Sequence, residues 1–379
     1  MPEPLLLHSP GRINLIGEHT DYNQGYVMPA AIDRAIRFRL EPNGLPHQAR
    51  FRSQEMDASF TADLNRIRPG NGWENYLLGV LHQLELRGIR VPGFDCTLES
   101  DLPVGAGLSS SAALECGLAW GLNRLFGLGL QPRELIALSQ AAEHTYVGTQ
   151  CGIMDQFACV MGREGHFILL DCRSLEHRYI PALLGDYGLL LLNSGVTHSL
   201  ASSAYNRRRE ECDAGVAILS RANKDVNSLR DVTPAMLNSA RHVMEDTVYR
   251  RCRYVVEENL RVLEATRALE EGQMEYLGDL LLQTHQGLSQ LYEVSCGELD
   301  FLVEAARDFP GVAGARMVGG GFGGCSLNLV RREALPGFTK AMVEKYRDAF
   351  GRDLTPIEVS LGQGVSALAA TPVIRPDRE

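Results

Sequence analysis

Lysine is nearly missing from this chain. Only Lys224, Lys340 and Lys345 occur, every other basic residue is arginine, and there is no Gly-Lys dipeptide. A Walker A phosphate loop needs that dipeptide, so it is excluded. Val-Ala-Ile-Lys, His-Arg-Asp and Asp-Phe-Gly are also missing, which removes the protein-kinase reading. No Cys-x-x-Cys pair exists among nine cysteines spread from Cys96 to Cys325. An odd, unpatterned set in a long chain argues against a disulfide framework and for reduced thiols in a cytoplasmic protein. Without His-Glu-x-x-His, zinc chemistry has no support. No apolar run approaches the roughly 18 residues of a membrane span; the longest clear one, Leu189 to Leu192, is strand-sized. Met1-Pro2-Glu3-Pro4 puts no basic segment before a hydrophobic stretch, so no secretory signal and no membrane partner are expected. Basic residues number 37 against 47 acidic ones, a net charge of −10. That disfavours a nucleic-acid partner, which would need a basic face.

What is present is an ordinary globular composition, 45% hydrophobic and 22% charged over 379 residues, enough for two or three domains. Ile36, Phe38 and Leu40 alternate with Arg37 and Arg39, and Phe94, Cys96 and Leu98 with Asp95 and Thr97. Both patterns predict half-buried strands. Leu77, Leu78, Leu81 and Leu84 repeat at helical spacing between them. A glycine loop then leads into a helix over 112–126, and Pro132 opens another running to about Tyr146. In the second half, 188–193, 314–318, 326–330 and 357–361 read as strands, and 200–219 and 254–288 as long helices. Both halves mix helices and strands, so the fold class is α+β with two domains. The change of pattern puts the boundary near Tyr187, giving 1–187 and 188–379.

Four segments carry chemistry. Pro10 to Asn23 is dense in polar groups, and Glu18, His19 and Asp21 suit the gripping of hydroxyls; the competing reading is a solvated turn. Pro103 to Ser111 holds Gly105, Gly107 and three serines between a strand and a helix. Glycines let backbone N–H groups approach an anion, and a helix N-terminus adds about half a positive charge. Gly319 to Gly324 formally matches GxGxxG, yet that fingerprint must open a helix and here a strand follows, so a dinucleotide site is rejected. Its glycines mean close backbone approach, either to packed chain or to ligand. Glu143, together with Asp155 in Gly152-Ile153-Met154-Asp155-Gln156, offers carboxylates for Mg²⁺ and for proton chemistry, unless they are surface acids.

Taken together these motifs carry a resemblance. Gly11-Arg12-Ile13-Asn14-Leu15-Ile16-Gly17-Glu18-His19-Thr20-Asp21-Tyr22-Asn23 resembles the signature of galactokinase-like sugar kinases. Pro103 to Ala113 resembles the phosphate loop of the GHMP kinases, and Arg316 to Cys325 their glycine-rich third motif. The order is the family's, and the departures are small: Val318 stands where threonine is common and Met28 where leucine is common. The resemblance implies a two-domain GHMP kinase fold with the active site in the cleft between domains. It implies transfer of the ATP γ-phosphoryl group to the C1 hydroxyl of α-D-galactose, with Mg²⁺ accompanying ATP. It implies Arg12 and Asp155 as catalytic residues and Glu18, His19, Thr20, Asp21, Gly152 and Tyr205 as sugar contacts. Gly105, Ala106, Gly107, Leu108, Ser109, Ser110 and Ser111 would hold the nucleotide phosphates, with Trp73 near the base, and Ser111 and Glu143 would bind the metal. A monomer is expected. The alternatives are a related 1-kinase acting on N-acetylgalactosamine, or a non-catalytic galactose/ATP sensor.

Overall fold

The computed structural model describes residues 3–103, 105–197 and 201–368. Val104 of the expected phosphate loop, Leu200 at the expected start of a helix, and the tail beyond 368 lie outside the described residues. In chain order the strands are β1 (Leu5–Asn14), β2 (Tyr26–Val27), β3 (Pro29–Pro42), β4 (Gln48–Ser53), β5 (Ala58–Asp63), β6 (Phe94–Ser100), β7 (His166–Asp171), β8 (His177–Pro181), β9 (Tyr187–Asn193), β10 (Val312–Met317), β11 (Cys325–Arg331), β12 (Thr355–Val359) and β13 (Ser366–Ala367). The helices are α1 (Glu74–Leu86), α2 (Ser110–Phe126), α3 (Pro132–Ala142), α4 (Met154–Met161), α5 (Ala201–Ala222), α6 (Pro234–Ala240), α7 (Asp246–Glu270), α8 (Met274–Gln286), α9 (Gly297–Arg307) and α10 (Leu335–Phe350). None is long and apolar enough to cross a membrane, among the described residues.

Three sheets organise the chain, with strand orders β13-β1-β3-β6-β4-β5, β10-β11-β9-β12 and β2-β7-β8. The predicted alternation in β3 holds: Ile36, Phe38 and Leu40 are buried while Arg37 and Arg39 face water. Strands β3 and β6 pair antiparallel, with Phe38 opposite Leu98 and Leu40 opposite Cys96, and α2 lies against β1 and β3. The α3 start is set by Pro132 in the first turn and a capping box between Gln131 and Glu134. The predicted 132–146 helix changes at Glu143 into a π turn, Glu143–Val147.

One expectation needs correction. The 254–288 segment is not one helix. It breaks between α7 and α8 because Gly272 takes φ +70°, a left-handed conformation that ends a helix cheaply. The two halves of the chain are also tied together. Strand β13 pairs with β1, and Ile32 bridges to Leu361, so the tail returns to the first sheet. The main apolar core also draws on both halves, from Leu7 and Phe38 to Leu191, Val262 and Leu327. All nine cysteines are free.

One buried ion pair joins the halves. Arg316, at 0% exposure, meets Glu18, at 1%, with Nη2 donating to Oε1 at 2.6 Å. Arg316 Nε donates to the Leu15 carbonyl at 2.8 Å, Nη1 to the Met317 carbonyl at 2.7 Å, and Nη2 also to that of Asn14. Removing one partner of such a pair leaves an uncompensated buried charge, a loss of about 3–5 kcal/mol. Arg316→Met should therefore lower unfolding free energy by about that amount in denaturant titration; a change below about 1 kcal/mol would show the pair to be incidental.

Candidate active site

The cleft is built from three backbone segments brought side by side. Strand β1 carries Arg12 in, where its backbone N–H donates to the Leu108 carbonyl at 3.1 Å. The glycine loop ends in α2, whose N-terminus has no side-chain cap because Ser109 sits there with φ +58°. Its first-turn amides therefore remain available to an anion. The third motif closes in backbone to backbone. A Cβ on Gly319 would lie 2.7 Å from the Gly107 carbonyl, one on Gly107 would lie 3.0 Å from that of Val318, and both residues have positive φ. Gly319 thus approaches packed chain, whereas Gly320 lines the cleft.

A cleft of about 510 Å³ runs along this junction, lined by Arg12, Trp73, Gly105, Gly107, Leu108, Ser109, Ser110, Ser111 and Asp155. Ala106 is buried behind it. Sequence reasoning missed Glu55 and Met56 on the far wall, which no motif marks, while Tyr76 lines the space in the same Trp73-Glu74-Asn75-Tyr76 segment as Trp73.

Arg12 grips Asp155 in a fork, Nε to Oδ1 at 2.8 Å and Nη2 to Oδ2 at 2.9 Å. Arg12 is 4% exposed and Asp155 24%, so the carboxylate is the member open to the cleft. The third arginine nitrogen, Nη1, donates to the Gly107 carbonyl at 2.6 Å and fixes the pair to the phosphate loop. The Ser109 hydroxyl also donates to Asp155 Oδ2. Ser109 therefore serves the aspartate here, a role different from the phosphate contact expected of it. Asp155 lies in the first turn of α4, where the helix dipole favours a negative charge.

Asp21 lies beside this pair. Burial pushes its carboxyl up to about 6, and the Asp155 charge adds to the rise. Gly152 packs directly on it: a Cβ there would fall 1.9 Å from Asp21 Oδ2. The Tyr205 phenol feels both Asp21 and Asp155, and burial together with these charges raises it well above its usual range. Asp21, Gly152, Tyr205 and Asp155 thus gather in one place.

The rest of the first motif is buried, so the solvated-turn alternative fails. The Glu18 carboxylate accepts from Arg316, from the Gly319 N–H at 3.1 Å and from Asn14 Nδ2 at 2.6 Å. His19 adopts φ +61° and places Nε2 3.2 Å from the Gly320 carbonyl and Nδ1 2.8 Å from the Tyr22 hydroxyl. A carbonyl only accepts, so Nε2 carries the proton and Nδ1 accepts from Tyr22. Burial holds this imidazole neutral, its pKa lowered to about 3. The polar atoms of Glu18 and His19 are committed to protein partners, most of them in the third motif. Thr20 Oγ1 closes the turn against the Gly17 and Tyr26 carbonyls at 2.8 and 2.6 Å.

Ser111 lines the cleft, whereas Glu143 is 7% exposed and not among the lining residues. Burial, with Asp155 nearby, pushes Glu143 up to about 7. Its Oε2 accepts from Gln156 Nε2 at 3.0 Å. Among the described residues no group of three or more His, Cys, Asp or Glu side chains could hold a metal unaided. A serine hydroxyl and a carboxylate are nevertheless hard oxygen donors that suit Mg²⁺, which takes the rest of its shell from water and substrate phosphates.

The Asp21 environment has a measurable consequence. The folded pKa of about 6 lies above the ordinary 3.8, so the folded state holds a proton that the unfolded chain releases. Stability from this group falls as pH rises from about 4 through 6 and stays lower above. Asp21→Asn should raise the ligand-free melting temperature at pH 8 and leave it nearly unchanged at pH 4. A lower melting temperature at pH 8 would contradict the assignment.

Comparison with known proteins agrees with this geometry. A model of the galactokinase galactose-binding signature matches residues 2–42, one of the GHMP kinases N terminal domain residues 75–163, and one of the GHMP kinases C terminal residues 265–348. The chain is 42% identical over 360 residues to a galactokinase of Thermotoga maritima, covering 95% of this chain and 99% of that one. It is 40% identical over 362 residues to a galactokinase of Roseiflexus sp., covering 95% and 92%. Among solved structures, Lactococcus lactis galactokinase complexed with galactose superposes with a TM-score of 0.92 at 34% identity, over 97% of this chain and 95% of that one. A mevalonate kinase shares the fold, with a TM-score of 0.65 at 18% identity over 94% and 99%. Likeness over nearly the full length, with three separate motifs meeting in one cleft, makes the chain a member of the galactokinase family of GHMP kinases.

Proposed function

We propose that this chain transfers the γ-phosphoryl group of ATP to the C1 hydroxyl of α-D-galactose, giving α-D-galactose 1-phosphate and ADP. The observation that carries the reading is the Arg12–Asp155 fork, bound to the phosphate loop through Gly107 and opening its carboxylate into the same cleft. Phosphoryl transfer asks mostly for positioning and charge stabilisation. The α2 N-terminus and the Gly105–Ser111 loop would receive the nucleotide phosphates, with Trp73 on the wall beside the base. Arg12 would supply the fixed cation that a lysine supplies in P-loop enzymes. Mg²⁺, held through Ser111 and Glu143, would neutralise phosphate charge.

The sugar is assigned to Asp21, Gly152 and Tyr205, whose acceptors and donor suit a neutral polyhydroxyl. Glu18, His19 and Thr20 would hold that wall in place. Three donors converge on the Asp155 carboxylate from Arg12 and Ser109. Its role would be to orient the acceptor hydroxyl and to take a proton that leaves late in a loose transition state. With this reading go Mg-ATP as co-substrate, a monomeric state and a cytoplasmic location, the last supported by nine free cysteines. The domains would be 1–187 and 188–379, with the tail strand β13 belonging to the first sheet.

A coupled ADP-release assay over a sugar panel tests the activity, with galactose expected as the preferred acceptor; ATP-dependent turnover absent from every sugar would leave only a binding role. Asp155→Asn should lower kcat at least about a hundredfold while calorimetry still detects galactose binding. A thermal melt must accompany it, because Arg12 loses its partner.

Gly152→Ala probes the sugar side. The added methyl must displace the Asp21 carboxylate, so galactose KM should rise about tenfold or more with a smaller change in kcat. An unchanged KM would remove Asp21 from the sugar site.

A further inference from the structure

Behind the cleft lies a buried polar group that the mechanism above does not use. Glu115 sits one helical turn after Ser111 on α2 and is 0% exposed, as is Gln156, the residue after Asp155 on α4. The Gln156 amide has two N–H donors, and both are spent on carboxylates. Nε2 lies 3.2 Å from Glu115 Oε2 and 3.0 Å from Glu143 Oε2, with the Cys151 thiol farther off at 3.8 Å. Glu115 Oε1 and Gln156 Oε1 have no partner. A buried carboxyl without a cation or a full set of donors is expensive, and α2 offers an apolar alternative at almost every neighbouring position, Ala112, Ala113, Cys116 and Leu118 among them. Something has to compensate for keeping an acid there.

We infer that Gln156, held by Glu115, is the positioning residue for Glu143: its amide spans from the Ser111 helix to the Glu143 carboxylate and fixes the direction in which that carboxylate presents its other oxygen. The inference rests on the proposed metal role of Glu143. The geometry asks each end of the bridge for an acceptor oxygen, which both carboxyl groups supply. A single primary amide can hold two acceptors only if each points an oxygen at one of its hydrogens, and Glu115 supplies the fixed end because it is fully enclosed. Burial raises the Glu115 carboxyl well above its usual range, as do the charges of Glu143 and Asp155.

The test is direct binding of Mn²⁺, read by electron paramagnetic resonance on the full chain with ADP, beside galactose binding by calorimetry. Gln156→Met keeps the length of the side chain and donates nothing. It should weaken Mn²⁺ binding about 10–100-fold, the usual effect of losing a partner that orients a metal ligand, and leave galactose affinity unchanged. Glu115→Leu should do the same. Glu115→Gln retains an oxygen for the Gln156 amide and should bind Mn²⁺ as wild type does.

Wild-type Mn²⁺ affinity in folded Gln156→Met overturns the inference. So does equal loss of Mn²⁺ and galactose binding, which would mark a general packing role. If Gln156→Met and Glu115→Leu fail to fold, Glu115→Gln decides alone: a tenfold loss there would assign the effect to charge and sink the positioning role. Glu143→Ala in the same assay keeps the two readings apart. Loss there without loss in Gln156→Met rejects the positioning alone, whereas no loss in Glu143→Ala rejects the metal assignment itself.

Discussion

The site depends first on the Glu18–Arg316 pair. It is fully enclosed, and desolvating two charges costs more than their attraction returns unless the remaining donors and acceptors are filled. Here they are filled by backbone groups and by one side-chain amide. Arg316 spends its other hydrogens on the carbonyls of Asn14, Leu15 and Met317, and Glu18 takes the Gly319 amide and Asn14. The pair therefore specifies more than it stabilises. It sets the first motif and the third at a fixed separation, and His19 repeats the tie one residue on through Gly320. Once Gly319 is placed, its backbone lies on Gly107, and the phosphate loop is located against the strand that carries Arg12.

Charge in the cleft follows a second constraint. Asp21, Glu143 and Glu115 are all pushed up by burial, and Asp155 raises each of them further. A concentration of perturbed acids in one cleft is the electrostatic mark of a functional site. It is also a hostile setting for an anionic co-substrate. Among the described residues, Arg12 and the uncapped start of α2 oppose that charge, and a cation at the hard oxygens would add to them. The division is spatial. The loop and helix terminus line the cleft beside the Arg12–Asp155 fork, whereas Asp21, Glu143 and Glu115 lie buried behind its walls.

Much of this was legible in the sequence, for identifiable reasons. Period-two alternation disclosed β3 and β6 because each has one wet face. The serine run after Gly107 marked the α2 start, and Pro132 the α3 start. Arg12, Asp155, Asp21 and Gly152 came from motif likeness, and the structure puts all four together. What stayed hidden were properties of contact. The end of strand β1 reads as a polar segment because its groups are met by partners distant in sequence, Arg12 by Asp155 and the Asn14 carbonyl by Arg316. The break at Gly272 was lost in a helical pattern that resumes at once on the far side. Strand β13 is two residues long and has meaning only beside β1. Glu115 and Gln156 look like any helical polar residues, although the i, i+4 spacing of Glu115 from Ser111 placed both on one helix face.

The glycine motif near residue 320 shows how the same residues can satisfy two unrelated demands. In a dinucleotide fold such glycines admit a pyrophosphate to a helix N-terminus. Here the helix terminus belongs to another segment, α2, and these glycines admit the backbone that supports it. Val318 is fully buried, and its N–H pairs with the Cys325 carbonyl at 3.0 Å, so the motif is a tight loop joining β10 to β11. Its contacts fall on the carbonyl side of the phosphate loop: Gly319 faces the Gly107 oxygen, Gly324 the Ala106 oxygen, and Arg12 takes the Gly107 oxygen as well. Engaging a loop's acceptors on one side commits its donors to the other. The third motif, whose Gly320 also lines the cleft, would then serve the nucleotide by turning the amides of Gly105–Ser111 toward it. A side chain at residue 319 or 324 would push that loop away from Arg12, and the aspartate held by Arg12 would move with it.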